Sequence, residues 1–287
     1  MTPRVAMVIG SGSVKCAASI GVQQVLQEHD VDVDLFVGCS GGSIYATAMA
    51  LGWPADRSAA TTARLWTRDL TSKSRPRALL QAVRPKMFGF SAEWGLRDPA
   101  PVMEAVHAAF GDMTFADSKV PLLITSTDFE TGEQVVFGES SGEGTDSVLD
   151  AIRASLAIPF VFPPARIGDR LFVDGYVSDP LPVGVAIREG AHVIIGIGFE
   201  SPYQRQVSSP ARLAFQISSL MTNNLLRSRF AFHNLAHHGE VIPIVPQFRE
   251  RIGLFDTDKI PSIIEQGAEA ATEQLPMILS ALEDHAS

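Results

Sequence analysis

Only two cysteines, Cys16 and Cys39, occur in the 287 residues, too few for a disulfide framework. No apolar run reaches about 18 residues, so a membrane-spanning helix is not expected. Basic charge is in deficit: 23 Lys and Arg stand against 32 Asp and Glu, a formal net charge of −9. That balance argues against a nucleic-acid backbone as partner. Low-complexity tracts, repeats with a period of about 20–50 residues and a recognisable linker are also missing. The N-terminal stretch MTPRVAMVIGSG has one Arg and a short apolar run, without a long apolar segment or a small-residue cleavage site. A first strand is therefore expected there instead of a secretory signal, and the expectation is a cytoplasmic protein.

What is present is an ordinary globular composition, 46% hydrophobic and 19% charged. The length suits a single large α/β domain over residues 1–287. Short Val- and Ile-rich runs at 5–9 and 33–37 alternate with helical stretches at 20–29 and 43–51, which argues for a parallel sheet covered on both faces. Further along, the patterns predict a helix near 101–110 and strands at 121–127 and 134–137 joined by a turn at Asp128–Gly132. A helix at 147–155 follows, then a hairpin of 163–167 and 171–173 split by Gly168 and Asp169. A strand at 193–197, a mostly helical stretch at 212–237 and a late strand at 241–245 come next. The last helix, 257–284, is expected to break at Pro276.

Three segments could carry chemistry. Gly38-Cys-Ser40-Gly-Gly42 fits G-x-S-x-G between a strand and a helix. In that setting a serine sits on a tight, strained turn with its hydroxyl at a helix N-terminus, and the flanking glycines avoid clashes. The dipole and free N–H groups there would favour an oxyanion. A serine that merely caps the helix gives the same pattern.

The second segment, Gly10-Ser-Gly12-Ser13-Val-Lys15, follows the first strand and opens the first helix, where backbone N–H groups can converge on an anion. A dinucleotide fingerprint would need a third glycine where Lys15 stands, and a P-loop would need G-K-[ST]. An oxyanion loop beside Ser40 and a ligand-free structural turn both remain open. The third segment, Leu171-Phe-Val-Asp174-Gly-Tyr176, puts an acid at the end of an apolar strand. A buried acid needs a partner, although an Asx turn capped by its own backbone would also fit Asp-Gly.

Taken in order, these segments resemble the patatin-like phospholipases. That family joins a Gly-rich oxyanion loop, here Gly10–Lys15, to a G-x-S-x-G elbow, here Gly38–Gly42, and a distant D-G-[GA] acid, here Asp174. Thr127-Asp128 with Thr131-Gly132, Ala154-Ser155 with Ala157-Ile158-Pro159, Phe162-Pro163-Pro164 and Pro180-Leu181-Pro182-Val183 match as well. The likeness runs over about residues 5–200, leaving 201–287 as a helical and strand completion. The resemblance implies a three-layer α/β/α sandwich with a mostly parallel central sheet. It implies attack by Ser40 on a carboxylic ester, with Asp174 as base and N–H groups near Gly12 and Ser13 holding the oxyanion. Phospholipid, lysophospholipid or another acyl ester would be the substrate, with no metal and no other cofactor. As a base near neutrality Asp174 would need its ordinary pKa of about 3.9 raised, which burial among Phe172, Val173 and Tyr176 would do.

Five positions depart from the family pattern. Ser11 and Ser13 replace glycines, Lys15 an Arg, Cys16 a Gly and Tyr176 a Gly or Ala. Positive φ at Ser13 would cost on the order of 1 kcal/mol. These departures motivate an alternative, a non-catalytic lipid- or acyl-binding protein on the same fold. A second alternative is an α/β-hydrolase with a Ser-Asp-His triad, since His192, His233, His237 and His238 follow Asp174. Finally, Arg68, Lys73, Arg75, Arg77, Arg84 and Lys86 are answered only by Asp69 and lead into Met87, Phe88 and Phe90. Peripheral contact of that stretch with anionic lipid and a solvated loop over a core edge both remain open.

Overall fold

The computed structural model describes residues 3–65, 67, 73, 75, 78, 80–81, 84–139, 145–200, 210–236, 240–253 and 256–286. Among these, eight strands form one sheet: β1 (Val5–Ile9), β2 (Leu35–Cys39), β3 (Leu122–Asp128), β4 (Gln134–Phe137), β5 (Ala165–Ile167), β6 (Arg170–Asp174), β7 (Val193–Ile197) and β8 (Glu240–Ile244). The path runs β5-β6-β3-β2-β1-β7-β8, with β4 paired to β3 outside it. The four pairings among β3, β2, β1, β7 and β8 are parallel, and those of β4, β5 and β6 are antiparallel. The sheet is thus mostly parallel, as expected.

Alternation along β1 produces the layers. Val5, Met7 and Ile9 enter one apolar cluster, and Ala6 and Val8 enter another with Leu35, Val37 and Ile194. Because both sets are buried, the strand reads as a continuous apolar run. The first face is covered by α1 (Ala18–Glu28), α2 (Gly41–Ala50), α3 (Ala55–Leu65), α5 (Ala100–Phe110), α6 (Val148–Ser155) and α9 (Ile260–Ala286). The second is covered by α7 (Val183–Arg188) and α8 (Pro210–Ala236). One short turn of helix, α4 (Pro85–Phe88), stands apart with no buried residue. The three-layer α/β/α arrangement follows.

Two segments differ from the sequence pattern. Strand β2 begins and ends two residues later than 33–37, because Gly38 and Cys39 stay extended against Ile9 on one side and Ile124 and Thr125 on the other. Helix α9 continues through Pro276. The ring removes one backbone donor, but Leu275 and Ile278 are buried on either side of it and hold both halves to the core. Upstream, Gly267 lies so close to α1 that a Cβ would approach the Ala18 carbonyl oxygen to 2.1 Å.

Candidate active site

The parallel strands β1, β2 and β7 deliver their following loops to one end of the sheet, the usual place for a ligand in an open α/β sheet. Strand β6 reaches the same place from the opposite direction. Along β3, Thr125 pairs with Cys39 of β2 and with Val136 of β4. The next residue, Ser126, pairs with Asp174 of β6 and with Val135 of β4. Strand β4 therefore fills one edge of β3, while β2 and β6 share the other edge and point at each other. Ser40 follows Cys39 directly, so the topology brings it face to face with Asp174.

The contact is short. Ser40 Oγ donates to Asp174 Oδ2 at 2.6 Å, and both residues are buried. Ser40 caps α2 at φ 54°, ψ −129°, a region that L-residues avoid and that strained turns at functional sites adopt. Glycine is required around it. A Cβ at Gly38 would approach the Ser43 Cα to 2.5 Å, and one at Gly42 would approach the Ile9 carbonyl oxygen to 2.2 Å. The Ser40 N–H donates to Ser155 Oγ at 2.7 Å. Its carbonyl accepts from the Ser43 N–H and hydroxyl.

Asp174 is held equally firmly. Its Oδ1 accepts from the Tyr176 N–H at 3.1 Å, its N–H donates to the Ala157 carbonyl, and its carbonyl accepts from Thr127 Oγ1. Burial pushes the carboxyl up to about 7, partly offset by the hydrogen bonds from Ser40 and the Tyr176 N–H. No basic side chain is among the causes, so desolvation alone lifts it into the range of a neutral-pH base.

The Gly10–Lys15 loop lies against the elbow, since a Cβ on Gly41 would meet Ser13 backbone atoms at 2.8–2.9 Å. Its amides at Gly10, Ser11 and Lys15 already have acceptors: Gly10 N–H reaches the Ile197 carbonyl, Ser11 N–H the Pro180 carbonyl and Lys15 N–H the Gly12 carbonyl. Gly10 accordingly serves close packing, with a would-be Cβ 2.7 Å from the Pro180 oxygen. At Gly12 a Cβ would strike Phe199 at 2.5 Å. Ser13 takes φ 53°, the positive value whose strain was anticipated above. Lys15 is buried, which lowers its pKa, and its Nζ donates to the Glu200 carbonyl at 3.0 Å. Cys16 fills the space its glycine counterpart would leave, its thiol donating to the Gly10 carbonyl at 3.3 Å.

Ser11, Gly12, Ser13, Lys15, Ser40 and Tyr176 line one cleft, closed by Ile158, Phe199 and, from α8, Ser218, Ser219 and Thr222. Its volume including the open mouth is about 580 Å³. Tyr176 spans it, its hydroxyl 3.1 Å from Ser218 Oγ. Sequence reasoning passed over Ser155 as a site residue, although Ala154-Ser155 was among the matched motifs. Its hydroxyl fixes the nucleophile's backbone from 115 residues away, and no local pattern announces such a contact. The contribution of α8 to the cleft was likewise missed.

Other candidates lie elsewhere. His192 precedes β7 at the opposite end of the sheet, and its Nδ1 accepts from the Arg4 N–H. The His233 side chain and residues His237 and His238 lie outside the described residues, as do Arg68, Asp69 and Arg77. Lys73 is paired with Asp98 at 3.0 Å. Arg75, Arg84, Lys86, Met87 and Phe90 are exposed, and none lines the cleft. Among the described residues no cluster of three His, Cys, Asp or Glu could hold a metal ion, and no helix is long and apolar enough to cross a membrane.

The family model described as patatin-like phospholipase matches residues 7–187. An uncharacterized NTE family protein of Mycobacterium tuberculosis (strain H37Rv) is 29% identical over 237 residues, covering 82% of this chain and 59% of that protein. The neuropathy target esterase sws of Drosophila melanogaster is 27% identical over 199 residues, covering 67% of this chain but 13% of that protein. The chain thus spans well under two thirds of the length of either relative. Among solved structures, VipD from Legionella pneumophila aligns with a TM-score of 0.53 at 12% identity, over 97% of this chain and 67% of that one. This likeness establishes the fold alone.

Proposed function

Since the chain belongs to the patatin-like phospholipase family, we propose that it hydrolyses carboxylic esters of lipids, as a phospholipase A or lysophospholipase, with Ser40 as nucleophile and Asp174 as its base. The observation that carries this reading is the 2.6 Å hydrogen bond from Ser40, which lines the cleft, to the buried Asp174 behind it. An isolated carboxyl that desolvation lifts to about 7 is matched to proton transfer near neutrality.

The Ser40–Asp174 contact supports the following steps. Ionised Asp174 takes the Ser40 proton as Oγ bonds to the ester carbonyl carbon, and the carbonyl electron pair moves onto oxygen. We assign the N–H groups near Gly12 and Ser13, with the positive end of α2, to hold that charge. Collapse of the tetrahedral species breaks the bond to the alcohol, which leaves with the proton from Asp174. Water then gives a proton to Asp174 as it attacks the acyl-enzyme. The carboxylic acid departs, and the proton returns to Ser40. Acyl chains would lie against Ile158 and Phe199.

A non-catalytic lipid-binding protein would keep the cleft without needing the Ser40–Asp174 contact. The two readings separate in one experiment. Purified protein is incubated with phosphatidylcholine, lysophosphatidylcholine and acyl-CoA, and products are identified by mass spectrometry. Free fatty acid released by the parent and not by Ser40→Ala is the expected result. Absence of release from every acyl donor, or equal release by both proteins, would overturn the hydrolase reading.

A further inference from the structure

Three chain segments that line the cleft each expose apolar side chains directly beside their lining residues. Ile158 lines the cleft, and Phe160, two residues on, is 55% exposed. Tyr176 lines it, and its neighbour Val177 is exposed. On α8, Ser218, Ser219 and Thr222 face the cleft while Leu213, Ile217, Leu220 and Met221 face outward, Met221 at 68%. The positions 213, 217, 220 and 221 form an apolar stripe at helical spacing. Phe160 also takes φ 68°, a costly conformation for a bulky residue. Its backbone is held there by the Leu96 N–H on its carbonyl, with its ring towards solvent instead of the core.

Charge defines what such a rim could touch. No charged residue occurs between Leu213 and Leu226. Outside the cleft lining, Arg227 is paired with the exposed Glu200 at 2.8 Å, and Lys15, which lines the cleft, is buried and donates to the Glu200 carbonyl. The molecule as a whole carries −9 and would be repelled by an anionic membrane. Exposed apolar side chains on three segments that line the cleft, one of them a helix stretch without charge, fit the acyl layer beneath uncharged or zwitterionic head groups.

We propose that Phe160, Val177 and the outer face of α8 form a rim that seats the cleft on zwitterionic lipid, so that an acyl ester passes from the aggregate to Ser40 without crossing water. This rests on the lipid-ester reading above. The outward residues of α8 are therefore a lipid-contact surface, and the basic stretch near Lys73–Phe90 is not the principal one.

The test uses full-length Ser40→Ala protein, which binds without turning over, and sucrose-loaded phosphatidylcholine vesicles in cosedimentation. Binding that persists in high salt is expected. Ile217→Glu with Met221→Glu should weaken it by about tenfold or more. Met277→Glu, at an exposed apolar position on α9 outside the cleft lining, should leave it unchanged. Circular dichroism checks the fold of each, and Phe160→Asn, which tolerates positive φ, supplies an independent rim variant expected to weaken binding in the same direction. Parent-like binding by the folded rim variants, or no vesicle binding by the parent, would overturn the proposal. So would salt-sensitive binding lost through Arg84→Glu with Lys86→Glu, which would move the contact to the basic stretch. Because Ser40→Ala is used throughout, a protein that binds through the rim yet whose parent form releases no fatty acid would refute the hydrolase reading and leave the rim standing.

Discussion

Cys39 and Asp174 occupy consecutive register positions on one edge of β3, opposite Thr125 and Ser126, with their strands running towards each other. This end-to-end meeting sets the reach from Ser40 to Asp174, and the surrounding hydrogen bonds fix it. Each partner is anchored by groups that do not themselves react: Ser155 for the nucleophile, and Thr127, Ala157 and Tyr176 for the acid.

Ser155→Ala should therefore loosen the elbow. The Ser40 N–H would lose its acceptor in a buried site, at a cost of about 1–3 kcal/mol. Urea denaturation is expected to report a loss of that size, together with slower ester hydrolysis. Unchanged stability and unchanged turnover would show that the contact does not hold the nucleophile.

The raised carboxyl of Asp174 has a consequence for stability. Its folded value of about 7 lies above its ordinary value of 3.8. Between these pH values the unfolded chain is ionised while the folded one keeps its proton, so stability falls as pH rises and levels off above about 7. Asp174→Asn lacks this penalty. It should gain on the parent from about pH 4 upward and end up to about 4 kcal/mol ahead at about pH 8. A stability difference between the two proteins that does not change with pH would contradict a buried, proton-holding Asp174.

Histidine is expected to be dispensable. His192 accepts from the Arg4 N–H at the far end of β7, roughly 15 Å of strand from the cleft. His192→Gln should leave kcat/KM within about tenfold of the parent, a barrier change under about 1.4 kcal/mol. A thousandfold loss with the fold intact would restore a triad.

The elbow and the loop were legible in the sequence because glycine leaves a local mark: Gly38, Gly42 and Gly12 stand where a Cβ would strike backbone or a ring. The parallel sheet was legible because strands buried on both faces read as continuous apolar runs. The meeting of Ser40 with Asp174 was legible only through the family resemblance, because it depends on which edge of β3 each strand takes, and no spacing along the 134 residues between them encodes that. No spacing marks Ser155 either, whose hydroxyl resembles any buried serine until the fold places it. Pro276 misled because its local cost is outweighed by burial of Leu275 and Ile278. The extension of β2 to Cys39 was hidden because Gly38 reads as a turn, whereas pairing on both sides keeps it extended.

The most direct test of the account is the rate at which a fluorophosphonate labels Ser40, followed as a function of pH by mass spectrometry of the intact protein. If Asp174 is the base, the parent's labelling rate rises to a plateau with a midpoint near 7. Asp174→Asn should then label at least about a hundredfold more slowly at the plateau. Labelling indifferent to pH, or equally fast in Asp174→Asn, would contradict the proposed role of Asp174.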